Sequence, residues 1–486
     1  YRSGVYANYD LEVVQDVQAS ASGALSGFVV TAVEAVLKAG LVAYAQILAL
    51  VTESFPSPTA LLILALIAAT FAALTFYLSH LSTFAESAPQ SVPFRESVTK
   101  SVPIRESVIE SVVESVVESV VRSVDFLLIG LIGILLGRIP SWAAGLPLTL
   151  QSSFDRFNVS LMLAASLFIV GLLELLLRSQ RQKLIALSLL IALGVGQQFY
   201  NANIFRRDWQ RQREFYWQLT WRAPAIAPGT VLFTDTVEMD YETDYSLTAP
   251  VNWLYAPQHD SLELPYLVFG VDMRSERLSL EPNTPIEFAY RPAHFSGNTS
   301  QSIAFLAPKN GCLRLLAPGD EDGYQHLSAR MQQSITLSDL GRIQTASATE
   351  SVAESVSLRD SATESVVESA LLRESVTESV FGPVPPVDWC YFYTHADLAR
   401  QYSAWDEVAR FDRQAAELGL APSDPLEWLP FVEAGASLGQ FDLAAERTRQ
   451  VTAARPFLRK VFCAAWLRAE QRQSLPSGLL VDLGCQ

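Results

Sequence analysis

The sequence predicts a membrane α-helical bundle of about five spans, followed by a small α/β or α+β domain and an α-helical tail. Three observations predict it. Five long apolar runs, Ala24–Val51, Ala60–Leu81, Phe126–Leu150, Val159–Leu177 and Leu184–Phe205, fill most of residues 1–205. Residues 224–318 carry short β-rich runs separated by turn signals. From Trp389 onward the apolar spacing becomes helical. A chain of 486 residues is long enough for two or three folding units.

Half of the residues are hydrophobic although 18% are charged, because the charge gathers after Phe205 and in two low-complexity stretches. A net charge of −16 argues against a nucleic-acid partner, since phosphate neutralisation needs clustered Lys and Arg. The four cysteines form no CxxC and no Cys/His ligand spacing, so no metal and no cofactor is expected. Tyr1 opens the chain, and the first 22 residues lack a cationic segment followed by an apolar one. A fragment or processed chain is therefore expected.

About 20 apolar residues cross a hydrocarbon core of roughly 30 Å. Ala60–Leu81 and Leu184–Phe205 meet this readily. Val159–Leu177 is near the minimum, with Glu174 and Arg178 spaced to pair at i, i+4. Phe126–Leu150 is the weakest run, because Arg138 and Pro140 follow its dense part; it reads as a short tilted span extended by the preceding repeat, or as a re-entrant element. Ala24–Val51 contains Glu34 and Lys38, and ionisable residues within a span are candidate functional groups. Their plainer reading is an intramembrane ion pair one helical turn apart.

Five crossings put the chain ends on opposite sides. The short basic loop with Arg178, Arg181 and Lys183 points to the cytoplasm, which places the C-terminal half outside a cell membrane. Residues 206–223 place aromatics and arginines beside the last span, as in a helix lying in the headgroup region or one packed on the next domain. Two stretches, 83–124 and 341–381, repeat an ESV vocabulary at a period of four, which drifts off one helical face; they read as dispensable inserts.

Within the α/β segment, 224–340, Thr230–Thr234 and Tyr266–Val271 read as strands, and Ser246–Tyr255 as a helix on the sheet. Ser302–Ala307 and Cys312–Leu316 read as a hairpin turned at Asn310-Gly311. The acidic run Asp235, Glu238, Asp240, Glu242 and Asp244 could bind a cation or serve acid/base chemistry, but it lacks the glycine of an EF-hand loop and reads as a solvated loop. His259 and His294 have no partners of evident spacing, and His395 reads as a helix-surface residue. In an oxidising compartment Cys312 and Cys390 are candidates for a disulfide. Cys463 reads as a buried thiol, and Cys485 is uninformative.

In the tail, 382–486, Ser403-Ala404-Trp405-Asp406-Glu407-Val408-Ala409 is echoed 36 residues later by Gly439-Gln440-Phe441-Asp442-Leu443-Ala444-Ala445. Pro422 and Pro456 stand 34 apart. This resembles the tetratricopeptide repeat over two units, departing from it at Ser403, where Gly is usual, and in spacing. Phe457–Gln473 would be a capping helix. The resemblance implies a protein partner, with Trp405 and Phe441 on the interaction surface.

Gly137-Arg138-Ile139-Pro140-Ser141-Trp142, Phe154-Asp155-Arg156-Phe157, Trp217–Pro224, Ser246–Pro257 and Asp388–Gln401 together resemble uncharacterised bacterial multi-spanning membrane proteins. That likeness implies a topology and no mechanism. More loosely, spans ending in an outer domain are similar to glycosyltransferases that use lipid-linked sugars. That second resemblance implies an acidic base in an early outer loop, where Thr52–Pro58 offers only Glu53, and a lipid-phosphate contact at Asp155 and Arg156. Two functions are thus expected: a membrane-anchored interaction or assembly protein, or the C-terminal part of such a transferase.

Overall fold

The computed structural model describes residues 20–87, 104–144, 146–150, 155–235, 237, 239, 243–273, 278–290, 292–344 and 376–485. They form two compact units that divide at Arg206.

The first unit is helical. Helix α1 (Ala21–Leu37) starts at Ser20, whose hydroxyl accepts the Gly23 N–H. It continues through a π-helical segment, Lys38–Val42, into α2 (Ala43–Ser54). There follow α3 (Pro58–Ser87), α4 (Ile104–Ala143), α5 (Val159–Leu176) and α6 (Gln180–Arg222). Five helices of this unit are long and apolar enough to cross a membrane. The doubtful third run gains its length from the repeat: α4 begins at Ile104, and residues 104–124 of the expected insert are part of it. It ends at Ala143, not near Leu150. Residues 88–103 of that insert lie outside the described residues.

α4 and α5 meet at backbone distance. A Cβ added at Gly133 would lie 2.7 Å from the Ala164 Cβ, and one at Gly137 would lie 2.7 Å from the Ser160 carbonyl oxygen. Gly130, Gly133 and Gly137 repeat at helical spacing, so one face of α4 has no side chains there. Two apolar clusters complete the unit. Ala35, Ile134, Leu161 and Ala164 form one, and Ile47, Ile63, Ile67, Ala192 and Leu193 form the other.

The expected Glu174–Arg178 pair does not form. α5 stops at Leu176 and Leu177 is extended, so Arg178 is not one helical turn away; Glu174 pairs with Lys183 across the turn into α6.

The second unit is a three-layer α/β structure. Its sheet has strand order β3-β2-β6-β7, with β2 (Thr230–Thr234) parallel to both β3 (Tyr266–Gly270) and β6 (Ser302–Leu306). β7 (Arg314–Leu316) closes one edge antiparallel. Every residue of β2, β3 and β6 is buried, as their unbroken apolar runs require of strands covered on both faces. A short pair, β1 (Ala225–Ile226) with β8 (Ile343–Gln344), and a hairpin, β4 (Pro285–Tyr290) with β5 (Ala293–Asn298), stand beside it.

The end of α6 and α7 (Asp244–Tyr255) cover one face, where Tyr216 and Leu219 meet Leu232, Val268, Ile303 and Phe305. Thr248 and Asn252 of α7 also cap the free edge of β3. Thr248 Oγ1 accepts the Val268 N–H at 3.0 Å, and Asn252 exchanges two hydrogen bonds with Tyr266.

The other face is covered by α8 (Ala329–Leu337) and by part of the tail, α11 (Leu429–Ser437), α12 (Phe441–Ala454), α13 (Arg459–Glu470) and α14 (Leu479–Asp482), while α9 (Trp389–Gln401) and α10 (Trp405–Glu417) pack on α11 in a cluster of their own. Val231, Phe233, Phe269 and Leu316 pack in one core with Val432, Ala444, Phe462 and Trp466. The tail expected as a separate region, 382–486, is therefore a layer of the same fold as 224–340.

Three further expectations are corrected. Residues 206–223 are not a separate interfacial helix; they continue α6 without a break. The reason is burial: Tyr216 stacks on Phe381 at 4.3 Å, and Phe215 meets Phe305 at 5.8 Å. The second insert is shorter than 341–381, because Ile343–Gln344 is paired in a sheet and residues 376–381 are helical, with Phe381 buried. Residues 345–375 lie outside the described residues. The β6–β7 turn is wider than an Asn-Gly turn, since pairing stops at Leu306 and Arg314 and neither Asn310 nor Gly311 has positive φ. Here the Cys312 N–H donates to Glu427 and the Leu313 N–H to Gln218, which draws the loop away from the hairpin.

Candidate functional site

The first unit contains a cavity of about 520 Å³. The π-helical segment supplies Ala39, and α2 supplies Ala43, Tyr44 and Gln46. Arg156 and Asn158 come from the 3₁₀ turn before α5, and Gln197, Gln198 and Asn201 from α6. One guanidinium and five amides thus share a space with Tyr44, Ser166 and apolar side chains, and no Asp or Glu lines it among the described residues. The amides are partly paired. Gln197 Nε2 donates to Asn201 Oδ1 at 3.1 Å, and Asn158 donates to the Thr149 carbonyl. Gln197 Oε1 and Asn158 Oδ1 are buried with no hydrogen-bond partner. A π-helical segment beside such a space is a common functional arrangement.

Of the residues expected to act here, Arg156 reaches this cavity. Asp155 shares its 3₁₀ turn, but the Asp155 side chain lies outside the described residues. Glu34 and Lys38 form an ion pair at 2.6 Å, and Lys38 also donates to the Leu148 carbonyl at 2.7 Å. This pair ties α1 to the loop after α4. Arg138, read as ending a span, is buried and donates to Ser141 Oγ and the Leu146 carbonyl. The cavity amides were missed in the sequence. Their signal was present as Gln197-Gln198 and Asn201 inside the last apolar run.

In the second unit, Asp235 follows β2 and Asp272 follows β3, at the carboxyl ends of neighbouring parallel strands. Burial, then the hydrogen bond and charge of Asp272, push the Asp235 carboxyl up to about 6. Ser328 Oγ donates to Asp272 Oδ1 at 3.0 Å. The acidic run therefore supplies one member of a carboxyl pair whose partner lies 37 positions on, while Glu238, Asp240 and Glu242 lie outside the described residues. Asp244 is buried at the start of α7. No group of three or more His, Cys, Asp or Glu side chains that could hold a metal occurs among the described residues.

Sulfur and charge clamp the tail to the sheet. Cys312 is bonded to Cys390. Cys463 is bonded to Cys485, which corrects the buried thiol and the uninformative terminus: residues 478–485 fold back so that the two sulfurs meet. Arg222 donates to Asp397 at 2.6 Å, and Arg400 joins Asp397 to Glu433, which also takes two hydrogen bonds from Arg468. Burial works to raise the Asp397 carboxyl, but Arg222 and Arg400 hold it below the usual range. Arg314 of β7 reaches Asp424 and Glu427, and Glu427 also accepts the Trp389 indole N–H at 2.8 Å.

Trp405 and Phe441, expected on an interaction surface, are both packed inward. Trp405 lies against the Trp389–Phe411 cluster under the Arg472 guanidinium, and Phe441 lies against the sheet core. His395 is half-buried and not a surface residue, stacked on Phe411 at 5.4 Å and close to Tyr391 and Trp221. Burial, then the charge of Arg410, bring its pKa down to about 4. His259 sits on a surface turn with Ser261 and Glu263, and His294 lies in β5.

Searches with protein-family models, among curated proteins and among solved structures return no match.

Proposed function

We propose that the first unit is inserted in a cell membrane as five spans and anchors the second unit outside the cytoplasm as a rigid interaction or assembly module. The observation that carries insertion is the exposure of apolar side chains. Leu163 is 75% exposed and Phe76 72%, amid a dense set of exposed Leu, Val and Ile on α1 to α6. Water does not tolerate apolar surface of that extent, whereas lipid covers it without cost. Two disulfides in the second unit support an oxidising compartment.

The tetratricopeptide-like reading of the tail gains support from its turns. Ser403 and Gly439 both have positive φ, 56° and 78°, immediately before α10 and α12. The two hairpins therefore turn in the same way despite their different residues. With Trp405 and Phe441 committed to packing, the surface left for a partner is the polar outer side of α10 and α12, with exposed Arg410, Arg413 and Arg449.

Topology reporters fused after Lys183 and after Gln486 test the reading. A C-terminal reporter active only outside the cytoplasm is expected, with the Lys183 fusion active inside. The opposite pair of results sinks the orientation, and release of the chain from membranes by alkaline carbonate sinks insertion. Photo-crosslinkers at Arg410 and Arg413 would be expected to trap a discrete adduct in intact cells. Absence of any adduct at either position removes the assembly role.

A further inference from the structure

We propose that the proline-rich segment Pro383–Val387 of the second unit is a docking ligand, held by a partner protein in a groove of aromatic side chains and hydrogen-bond donors. The inference stands on the second unit alone. It goes beyond the anchoring role and concerns a different surface from that of α10 and α12.

The sequence sets the shape. Pro383, Pro385 and Pro386 fix their φ at about −65°, and the peptide bonds before them are trans. A proline also drives the residue before it into the extended region, which covers Val384 and Pro385. Asp388, next along the chain, is extended too, with φ −126° and ψ −173°. Residues 383 to 387 therefore form a polyproline II strand, about 12 Å long at 3.1 Å per residue.

Three residues per turn divide such a strand into three edges. Pro383 and Pro386 form one edge and Val384 and Val387 a second, and all four are exposed. The two valines are 45% and 50% exposed. Pro385, on the third edge, is half-buried. Exposure thus follows the threefold period, as in a strand lying along the protein and presenting two apolar ridges.

Both ends are anchored. Phe381 is buried and stacked on Tyr216 at 4.3 Å, and Arg213 donates to the Pro383 carbonyl at 2.9 Å. On the far side Trp389 is buried and Cys390 is bonded to Cys312. A partner would meet a shape already ordered, which limits the entropy lost on binding.

The backbone then selects the partner. Three of the five residues lack an N–H. Among the described residues, the carbonyls of 384 to 387 accept no hydrogen bond. The segment therefore offers a row of acceptors and few donors. A sheet edge cannot pair with it, because the ladder needs those N–H groups. Lipid hydrocarbon supplies no donor for the carbonyls. Aromatic side chains suit the proline rings, and an indole N–H or phenol hydroxyl among them meets the carbonyls. A stiff spacer accounts for the prolines but not for two valines turned to solvent.

The test immobilises the full chain, purified in detergent, and titrates three purified probes: an SH3, a WW and an EVH1 domain. Each holds polyproline II peptides in an aromatic groove. Saturable one-to-one binding of at least one probe is expected, and replacing the groove aromatic that carries the donor should abolish it. The double variant Val384→Gln, Val387→Gln, and separately Pro386→Ala, should each weaken binding about tenfold or more, with the melting temperature of the second unit unchanged. Leu418→Gln removes an apolar side chain that is 62% exposed elsewhere in the same unit, and should leave binding unchanged. No saturable binding by any probe overturns the proposal. Binding that survives both segment variants overturns it too, by placing the contact elsewhere. Equal weakening by Leu418→Gln reduces it to unspecific adhesion, and binding by the groove-aromatic variant removes the recognition mode. Failed insertion, or failed crosslinking at Arg410 and Arg413, is a separate result that alters none of these outcomes.

Discussion

Helices α4 and α5 meet through absent side chains, at Gly130, Gly133 and Gly137, whereas the layers of the second unit are joined by charges and sulfur. On the proposed insertion of the first unit, the difference follows from the solvent around each unit. Lipid offers no hydrophobic drive to bring helices together, so close backbone approach and dispersion must do it. In water the sheet and the tail gain by burying apolar faces, and buried charges are tolerated because each is paired. Arg222, Asp397, Arg400 and Glu433 form a chain in which every carboxylate has at least two cationic or hydrogen-bonding contacts. Such a network fixes register more than it adds stability, and breaking it is costly.

The largest expected effect separates the two disulfides. Cys312–Cys390 closes 78 residues and Cys463–Cys485 closes 22. The chain-entropy relation gives about 4.5 kcal/mol for the first and about 3.4 kcal/mol for the second. Replacing each pair by serine and comparing thermal melts should show the Cys312–Cys390 variant as the less stable. The reverse order would show that the long insert inside that loop is already constrained in the unfolded chain.

Next is Asp397→Ala, which strands Arg222 and Arg400 in a buried site. A loss of about 3–5 kcal/mol is expected, seen as an early melting transition of the second unit. A loss below about 1 kcal/mol would mean that water reaches this network and that the clamp is ordinary surface pairing. The matching test in the first unit is Gly133→Leu. An added Cβ there would fall 2.7 Å from the Ala164 Cβ, so the helices must part, at a cost of about 1–3 kcal/mol. Loss of melting temperature in detergent, with the second unit's transition unmoved, would keep the comparison intact.

These networks mark the limit of what could be read along the chain. The five apolar runs and the strands at Thr230, Tyr266 and Ser302 are legible because their signal is local: continuous apolar length in one case, a short bounded run in the other. The Cys312–Cys390 bridge was legible because only four cysteines compete. Arg222 and Asp397 are 175 positions apart, and nothing in either neighbourhood announces the other. The glycine face stands in the sequence as Gly130, Gly133 and Gly137, but inside an apolar run it carries no signal of which helix it meets. Trp405 and Phe441 misled because a helix-opening aromatic looks the same whether it faces a partner or its own sheet.

His395 gives a pH handle on the second unit. Its folded pKa of about 4 lies below the ordinary histidine value of 6.5, so the neutral ring is the favoured form. The folded state binds fewer protons than the unfolded one between those values, and stability must fall as pH drops from about 6.5 to 4. The full shift from 6.5 to about 4 corresponds to at most about 3.4 kcal/mol at 1.36 kcal/mol per pH unit. Asp235 acts in the opposite sense, since a carboxyl raised to about 6 becomes less unfavourable as pH falls below that value. The His395 contribution is therefore read as the difference between wild type and His395→Phe, which keeps the ring stack on Phe411. The gap should widen in the variant's favour as pH falls through that window. A constant gap would place the imidazole in contact with water.

The smallest effect tests the proposed internal repeat. Ser403 holds φ at 56°, a conformation that costs a residue with a Cβ about 1 kcal/mol or more, while Gly439 holds 78° at the equivalent turn without that cost. If the two hairpins are copies of one unit, Ser403→Gly should stabilise the second unit by about 0.5–1 kcal/mol, net of the glycine's extra freedom when unfolded. Gly439→Ser should destabilise it by a similar amount. Nothing else need change, because the Ser403 side chain is exposed and the turn is held by backbone bonds, with Ser403 donating its N–H to Arg400 and accepting the Trp405 N–H on its carbonyl. A double variant that exchanges the two residues should then melt near the wild type. If Ser403→Gly instead lowers the melting temperature, the serine hydroxyl has a role that the glycine turn lacks, and the likeness between the hairpins is confined to their backbone path.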